Sequence, residues 1–152
     1  MTTTRAVVVD LDAIGDTHAL WAAWLESARG VLGIDPDALP ADRSDAAAAL
    51  DAAGAGNWRV LLERFAEDHA PAYLRRDAAT SAALQALVAR EVRLGVFTDA
   101  PSELARTALA QLGATRRVSV LETGAGALDR LLAEVGAGAD VVRTRADLLA
   151  RA

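Results

Sequence analysis

The stretch Arg5-Ala6-Val7-Val8-Val9-Asp10-Leu11-Asp12-Ala13-Ile14-Gly15-Asp16-Thr17 decides the fold. Its apolar, β-branched opening is too short for a helix and reads as a strand buried on both faces. Asp10 and Asp12 follow at the carboxyl end of that strand, where ligands and chemistry sit in open parallel sheets. Two acids one residue apart in a partly dry place repel each other. Such a pair serves a metal, a phosphate reaction or a strong counter-ion, or else it caps the strand and starts a turn. On this segment alone both readings stand.

Working outward, 152 residues suffice for one well-buried domain or for a core with one small insertion. The chain has no cysteine, which excludes disulfides and thiolate metal sites. A net charge of -5, with acids and arginines mixed along the chain, argues against nucleic acid or an anionic membrane as the main partner. All sixteen basic residues are arginine, so no mechanism that needs a lysine is open to it. No apolar run approaches bilayer length, and Met1 to Arg5 lead into the strand without the apolar core of a leader; the expectation is a cytoplasmic protein.

After Thr17 the pattern turns helical. Leu20, Trp21, Trp24, Leu25 and Ala28 recur at spacings of three and four, with Gly33 as the stop, and the two tryptophans read as helix-packing core. Asp35 to Pro40 reads as a loop, Asp45 to Ala53 as an Ala-rich helix, and Trp58 to Ala70 as an amphipathic helix ended by Pro71. Gly54-Ala55-Gly56-Asn57 lacks the lysine and threonine of a P-loop and reads as a turn. From Asp77 onward helices and strands alternate. Strands are expected at Val92–Phe97, Val118–Leu121 and Asp140–Val142, with helices capped or stopped by Asp77, Pro101, Gly113 and Gly136 between them. That alternation implies right-handed parallel crossovers. The prediction is an α/β fold: a mainly parallel sheet of about four strands, built from 1–16 and 77–152, with a small all-α cap, 17–76, inserted after the first strand.

Asp10-x-Asp12 after strand one, the helical insertion, and a second strand running Leu94-Gly95-Val96-Phe97-Thr98-Asp99 resemble the haloacid dehalogenase (HAD) superfamily with a C1-type helical cap. Val141 to Ala150 resembles that family's fourth motif. The resemblance spans nearly the whole chain and implies a Rossmann-like core. It also implies an aspartyl-phosphate mechanism: Asp10 as nucleophile, Asp12 as general acid and base, and Thr98, with Asp99 beside it, holding phosphate. Magnesium would sit on Asp10, Asp12 and acids of the fourth motif, of which only Asp147 is kept.

The chain departs from the family pattern where positive charge is needed. The lysine position falls at Glu122, and the metal-ligand position of the fourth motif is Arg143. Ala13-Ile14-Gly15 replaces the usual Gly-Thr-Leu and leaves the loop one residue short before Asp16. Two carboxylates and a phosphate dianion cannot share a pocket without comparable positive charge. These changes predict that Arg143 stands in for the ion as counter-charge to Asp10, Asp12 and Asp147, the alternative being that it points into solvent from a short edge loop. Glu122 would pair with Arg116 or Arg117, or lend oxygen to a retained metal.

Two functions follow. One is a degenerate HAD-like protein that binds a partner or metabolite without hydrolysis, a homodimer being compatible with it. The other is a working magnesium-dependent phosphatase of a small phosphorylated metabolite. A dehalogenase finds no halide cradle in the sequence, and a receiver domain would need a later acceptor strand and a lysine. His18 and His69 lie in no ligand spacing, Asp10 to Asp16 lacks the glycine and glutamate of a calcium loop, and Gly124-Ala125-Gly126 reads as a strand-to-helix loop.

Overall fold

The computed structural model describes residues 5–152. Residues 1–4, on which the leaderless start was read and where the expected core begins, lie outside the described residues.

Four strands form one sheet: β1 (Ala6–Asp10), β2 (Arg93–Thr98), β3 (Val120–Thr123) and β4 (Asp140–Val142). The order is β3-β2-β1-β4, and every neighbouring pair is parallel. The alternation of strand side chains divides β1 between the two faces. Val7 and Val9 join the larger apolar cluster, while Val8 joins a smaller one with Phe97, Ala127 and Leu131. Crossovers from β1 to β2 and on to β3 run one way and the return to β4 runs the other. This places a topological switch beside β1, at whose carboxyl end Asp10 sits.

Helix α7 (Ala127–Val135) covers the smaller cluster alone. It can lie close because β2 carries Gly95 there; a Cβ on Gly95 would meet the Leu131 side chain at 2.8 Å. The other face lies under α5 (Ala78–Ala89), α6 (Ser102–Gln111) and α8 (Arg145–Ala150). A one-turn helix, α1 (Leu11–Ile14), follows β1 directly.

The stretch between α1 and α5 is helical: α2 (His18–Leu32), α3 (Arg43–Ala52) and α4 (Trp58–Tyr73), with a 3-10 turn at Pro36–Ala38. Gly33 ends α2 in the left-handed conformation, φ +66°, which only glycine adopts cheaply. Trp21, Trp24 and Trp58 pack in series, ring centroids 5.2 and 5.8 Å apart. They belong to the same cluster as Val9, Leu104 and Leu109, so the inserted helices share one apolar interior with the sheet. No helix is long and apolar enough to cross a membrane among the described residues.

Several expected boundaries differ: α3 opens at Arg43, two residues before the expected Asp45, and β2 runs Arg93–Thr98 and not Val92–Phe97. Pro71 lies inside the last turn of α4, and the helix runs on to Tyr73. Leu74, 2 % exposed, anchors that end by donating its amide to the Ala70 carbonyl at 2.8 Å. Strand β3 begins two residues later than expected, because Thr115–Arg117 forms a 3-10 turn with Val118 as its cap. Ser119 then enters the sheet, its amide and hydroxyl both donating to the Leu94 carbonyl at 2.9 and 3.0 Å.

Candidate active site

The carboxyl ends of β1 and β2 bring Asp10, Asp12, Thr98 and Asp99 together, and the group that organises three of them comes from the insertion. Asp10 ends β1 and caps α1, accepting the Asp12 amide at 2.9 Å. The capping role and the site role therefore fall on one residue. Asp12 accepts both the amide and the hydroxyl of Thr17 on one oxygen, each at 2.8 Å. Thr17 is fully buried and tethers the start of the insertion to α1.

Arg43 opens α3 and is 1 % exposed. Its Nη2 donates to Asp12 Oδ2 at 3.0 Å and lies 2.9 Å from Asp99 Oδ1. Its Nε donates to Asp99 Oδ1 at 3.0 Å, its Nη1 to the Thr17 hydroxyl at 2.6 Å, and its backbone amide to Asp99 Oδ2 at 2.9 Å. Thr98 Oγ1, at the end of β2, stands 3.5 Å from Nη2 and accepts the Ala100 amide at 3.2 Å. A planar fork meeting two carboxylates and two hydroxyls is the geometry for which guanidinium is suited and ammonium is not.

Asp10 is left outside this network, with no ion pair among the described residues. Burial pushes its carboxyl above the ordinary range; the Asp12 amide and Arg43 pull it down, and Asp12 and Asp99 push it further up. Asp16 is held below the ordinary range, first by the His18 amide bonded to it.

An open pocket of about 400 Å³ lies over these strand ends. Asp10, Thr98 and Asp99 form its floor, Asp42 and Ser44 reach it from α3, and Gly124 to Asp129 and Arg143 close the other sides. Its walls carry four carboxylates against one exposed guanidinium.

Three expectations about charge are corrected. Arg143 is not the counter-ion: it is exposed, forms no ion pair among the described residues, and places its guanidinium 5.7 Å from the Phe97 ring centre. Arg43 already fills the position between Asp12 and Asp99. Glu122 pairs with Arg130 of α7 at 3.1 Å, not with Arg116 or Arg117, and does not line the pocket. Strand alternation turns it to the α7 face, and Arg130 also donates to the Thr123 carbonyl at 2.6 Å and to that of Ala125. Asp147 sits in the first turn of α8, capped by Thr144 at 3.1 Å and paired with Arg151 at 3.2 Å, and does not line the pocket.

The residues present do not fit the magnesium site the resemblance implies. Among the described residues the one group of three candidate ligands within 4.8 Å of each other is Asp12, Asp16 and His18, which includes neither Asp10 nor Asp147. There Arg43 holds one oxygen of Asp12, and His18 Nδ1 lies 2.9 Å from Asp16. Magnesium demands near-octahedral oxygen and tolerates a competing guanidinium badly.

Arg43, Asp42 and Ser44 were not singled out in the sequence. The signal there was weak: a cation in the first turn of a helix opposes the helix dipole, but Asp42 and Asp45 beside Arg43 offset that cost locally.

A central parallel sheet with an acidic strand-end mouth and a helical insertion after the first strand defines a HAD-like Rossmann fold. Among solved structures the chain is similar to one described as "putative beta-phosphoglucomutase from Thermotoga maritima". The TM-score is 0.55 at 16 % identity, covering 87 % of this chain and 71 % of that one. No family model and no curated protein matches the chain.

Proposed function

We propose that this protein keeps a HAD-like hydrolase fold as a binding or regulatory module and does not turn over phosphate esters. One observation carries the reading: Arg43, buried and fully bonded, holds Asp12 in the place where the family's general acid and base would act. Thr17 holds one oxygen of Asp12 through its amide and hydroxyl and Arg43 holds the other, so both oxygens are already engaged within the protein. Asp10 faces the pocket with no ion-pair partner among the described residues, and at an effective dielectric near 20 each added like charge at about 4 Å costs about 4 kcal/mol. With Asp99 already paired to Arg43, Asp10, Asp42 and Asp129 repel a phosphate dianion more than Arg143 attracts it.

A second reading is favoured by one distance. Arg43 Nη2 lies 3.5 Å from Thr98 Oγ1, the hydroxyl that would hold phosphate, so Arg43 would supply the charge of the missing lysine. The protein would then be a phosphatase of a small phosphorylated metabolite with Asp10 as nucleophile.

Release of phosphate from p-nitrophenyl phosphate, measured with and without magnesium on the parent and Asp10→Asn, separates the two. The binding module shows no release above buffer and no thermal shift with magnesium. Turnover that Asp10→Asn abolishes overturns it.

A further inference from the structure

We propose that the free edge of β3 docks an extended acidic peptide, which adds to the sheet as a further strand. Among the described residues β3 ends the sheet and is bonded to β2 along one side alone. Ser119 donates inward to Leu94, so alternation turns the amides and carbonyls of Val120 and Glu122 outward, where no described residue pairs them in the sheet. Beside this edge, on the α6 face, a slot of about 260 Å³ is lined by Leu109, Val118, Leu121, Thr115, Ser119 and Arg106. Such an edge next to an apolar slot is how sheet proteins capture extended segments: main-chain bonds give affinity and the slot selects a side chain.

The charge around the slot names the occupant. Arg106 is exposed on α6, and Arg116 and Arg117 stand on the 3-10 turn that adjoins Thr115. None of the three is ion-paired among the described residues; Arg117 instead donates to the Gly113 carbonyl at 3.2 Å. The nearby acids are turned away. Glu122 points to the α7 face and is held by Arg130, and Glu103, one turn before Arg106, is held by Arg59 at 3.3 Å. In a chain of net charge -5 this edge is locally positive and unpaired.

An added strand presents every second residue to the slot face, so the matching pattern is acid, apolar, acid at positions i, i+2 and i+4. A nucleic acid would use the same arginines. The outward main-chain groups and the apolar slot, with no aromatic ring to stack a base among its lining residues, favour peptide.

The probe is acetyl-Thr-Glu-Thr-Val-Thr-Glu-Thr-amide added to the full ¹⁵N-labelled chain, with amide shifts and hydrogen exchange read by NMR. Saturable shifts centred on Val120, Glu122 and Arg106 are expected, with slowed exchange at the Val120 and Glu122 amides and affinity that falls as salt rises. Replacing both glutamates by lysine should weaken binding at least about tenfold, as should Arg106→Glu with Arg116→Glu, both surface changes. Val120→Pro, which removes an outward amide, should abolish it; the charge variant keeps the test valid if that one fails to fold. The proposal is overturned by no saturable shift, by equal binding of the lysine peptide, or by tighter binding of oligouridine at the same arginines. Slow exchange at Val120 and Glu122 without peptide, together with a dimer in sedimentation, would assign the edge to a second copy and overturn it too.

Discussion

Replacing Arg43 by Met removes the charge and keeps most of the side-chain volume. The guanidinium is 1 % exposed, while the Asp12 and Asp99 side chains it holds are 20 % and 35 % exposed. Removing one partner of a buried ion pair costs about 3–5 kcal/mol, since the other is left desolvated and unpaired. Water reaches both carboxylates here, which puts the loss at the lower end, about 3 kcal/mol. For a domain of this size that corresponds to a fall in Tm of about 6–12 °C. Differential scanning calorimetry at neutral pH reads it. Arg43→Lys keeps the charge but not the fork and should fall between. Asp99→Asn should cost much less in the Arg43→Met background than in the parent, because its partner is already gone. Arg143→Ala, by contrast, should leave Tm unchanged. If Arg43→Met melts within about 2 °C of the parent, or if the two substitutions simply add, the fork does not hold this site together.

Asp10 is pushed up chiefly by burial, so its ionised form weighs against the fold above its folded pKa, and this penalty vanishes as pH falls below the ordinary value of 3.8. Asp10→Asn, whose amide oxygen can still accept from Asp12, should therefore raise Tm at neutral pH; a lower Tm in a pH series of melts contradicts this. Asp77 is lowered from 3.8 to about 2, first by the Thr80 hydroxyl and then by Arg145. Its contribution is present above pH 3.8 and is lost as pH falls toward 2, so Asp77→Asn should flatten that part of the acid melting curve. Gly95→Ala drives a methyl against Leu131, which is fully buried, and should cost about 1–3 kcal/mol by denaturant titration. An unchanged midpoint would mean that α7 shifts freely.

The strand count, the strand order's parallel sense and the helical run after β1 were legible because each rests on local pattern: a β-branched run, a three-four apolar stripe, a glycine stop. Asp10, Thr98 and Asp99 were legible for the same reason, since strand ends place them whatever the rest of the chain does. The counter-charge was not. Arg143 follows β4 directly and is brought to the mouth by the sheet, but the sequence does not say which way a guanidinium on an exposed turn will point. Arg43 lies far along the chain, 31 residues from Asp12 and 56 from Asp99, on a helix whose place over the strand ends is set by tertiary contacts that no local periodicity specifies. Pro71 misled for a related reason: the rule that proline ends a helix is local, and burial of Leu74 outweighs it.

That a single arginine supplies the compensation has a consequence for any functional assay. Where a bound ion neutralises a cluster of acids, the ion can be withdrawn and the fold keeps its insertion in place. Here the neutralising group is covalently part of α3, and its backbone amide as well as its side chain binds Asp99. The position of the insertion and the charge state of the mouth are thus one equilibrium: moving α3 away exposes Asp12 and Asp99 as unpaired carboxylates, and neutralising them loosens α3. A ligand that binds beside Asp10 with α3 in place stabilises that arrangement by linkage, and the acidic walls fix the sign of charge such a ligand must carry as positive. Thermal shift against a small diamine and against inorganic phosphate reads that sign directly. A rise with the diamine and none with phosphate is the expected pair, and the reverse would return the pocket to phosphate chemistry.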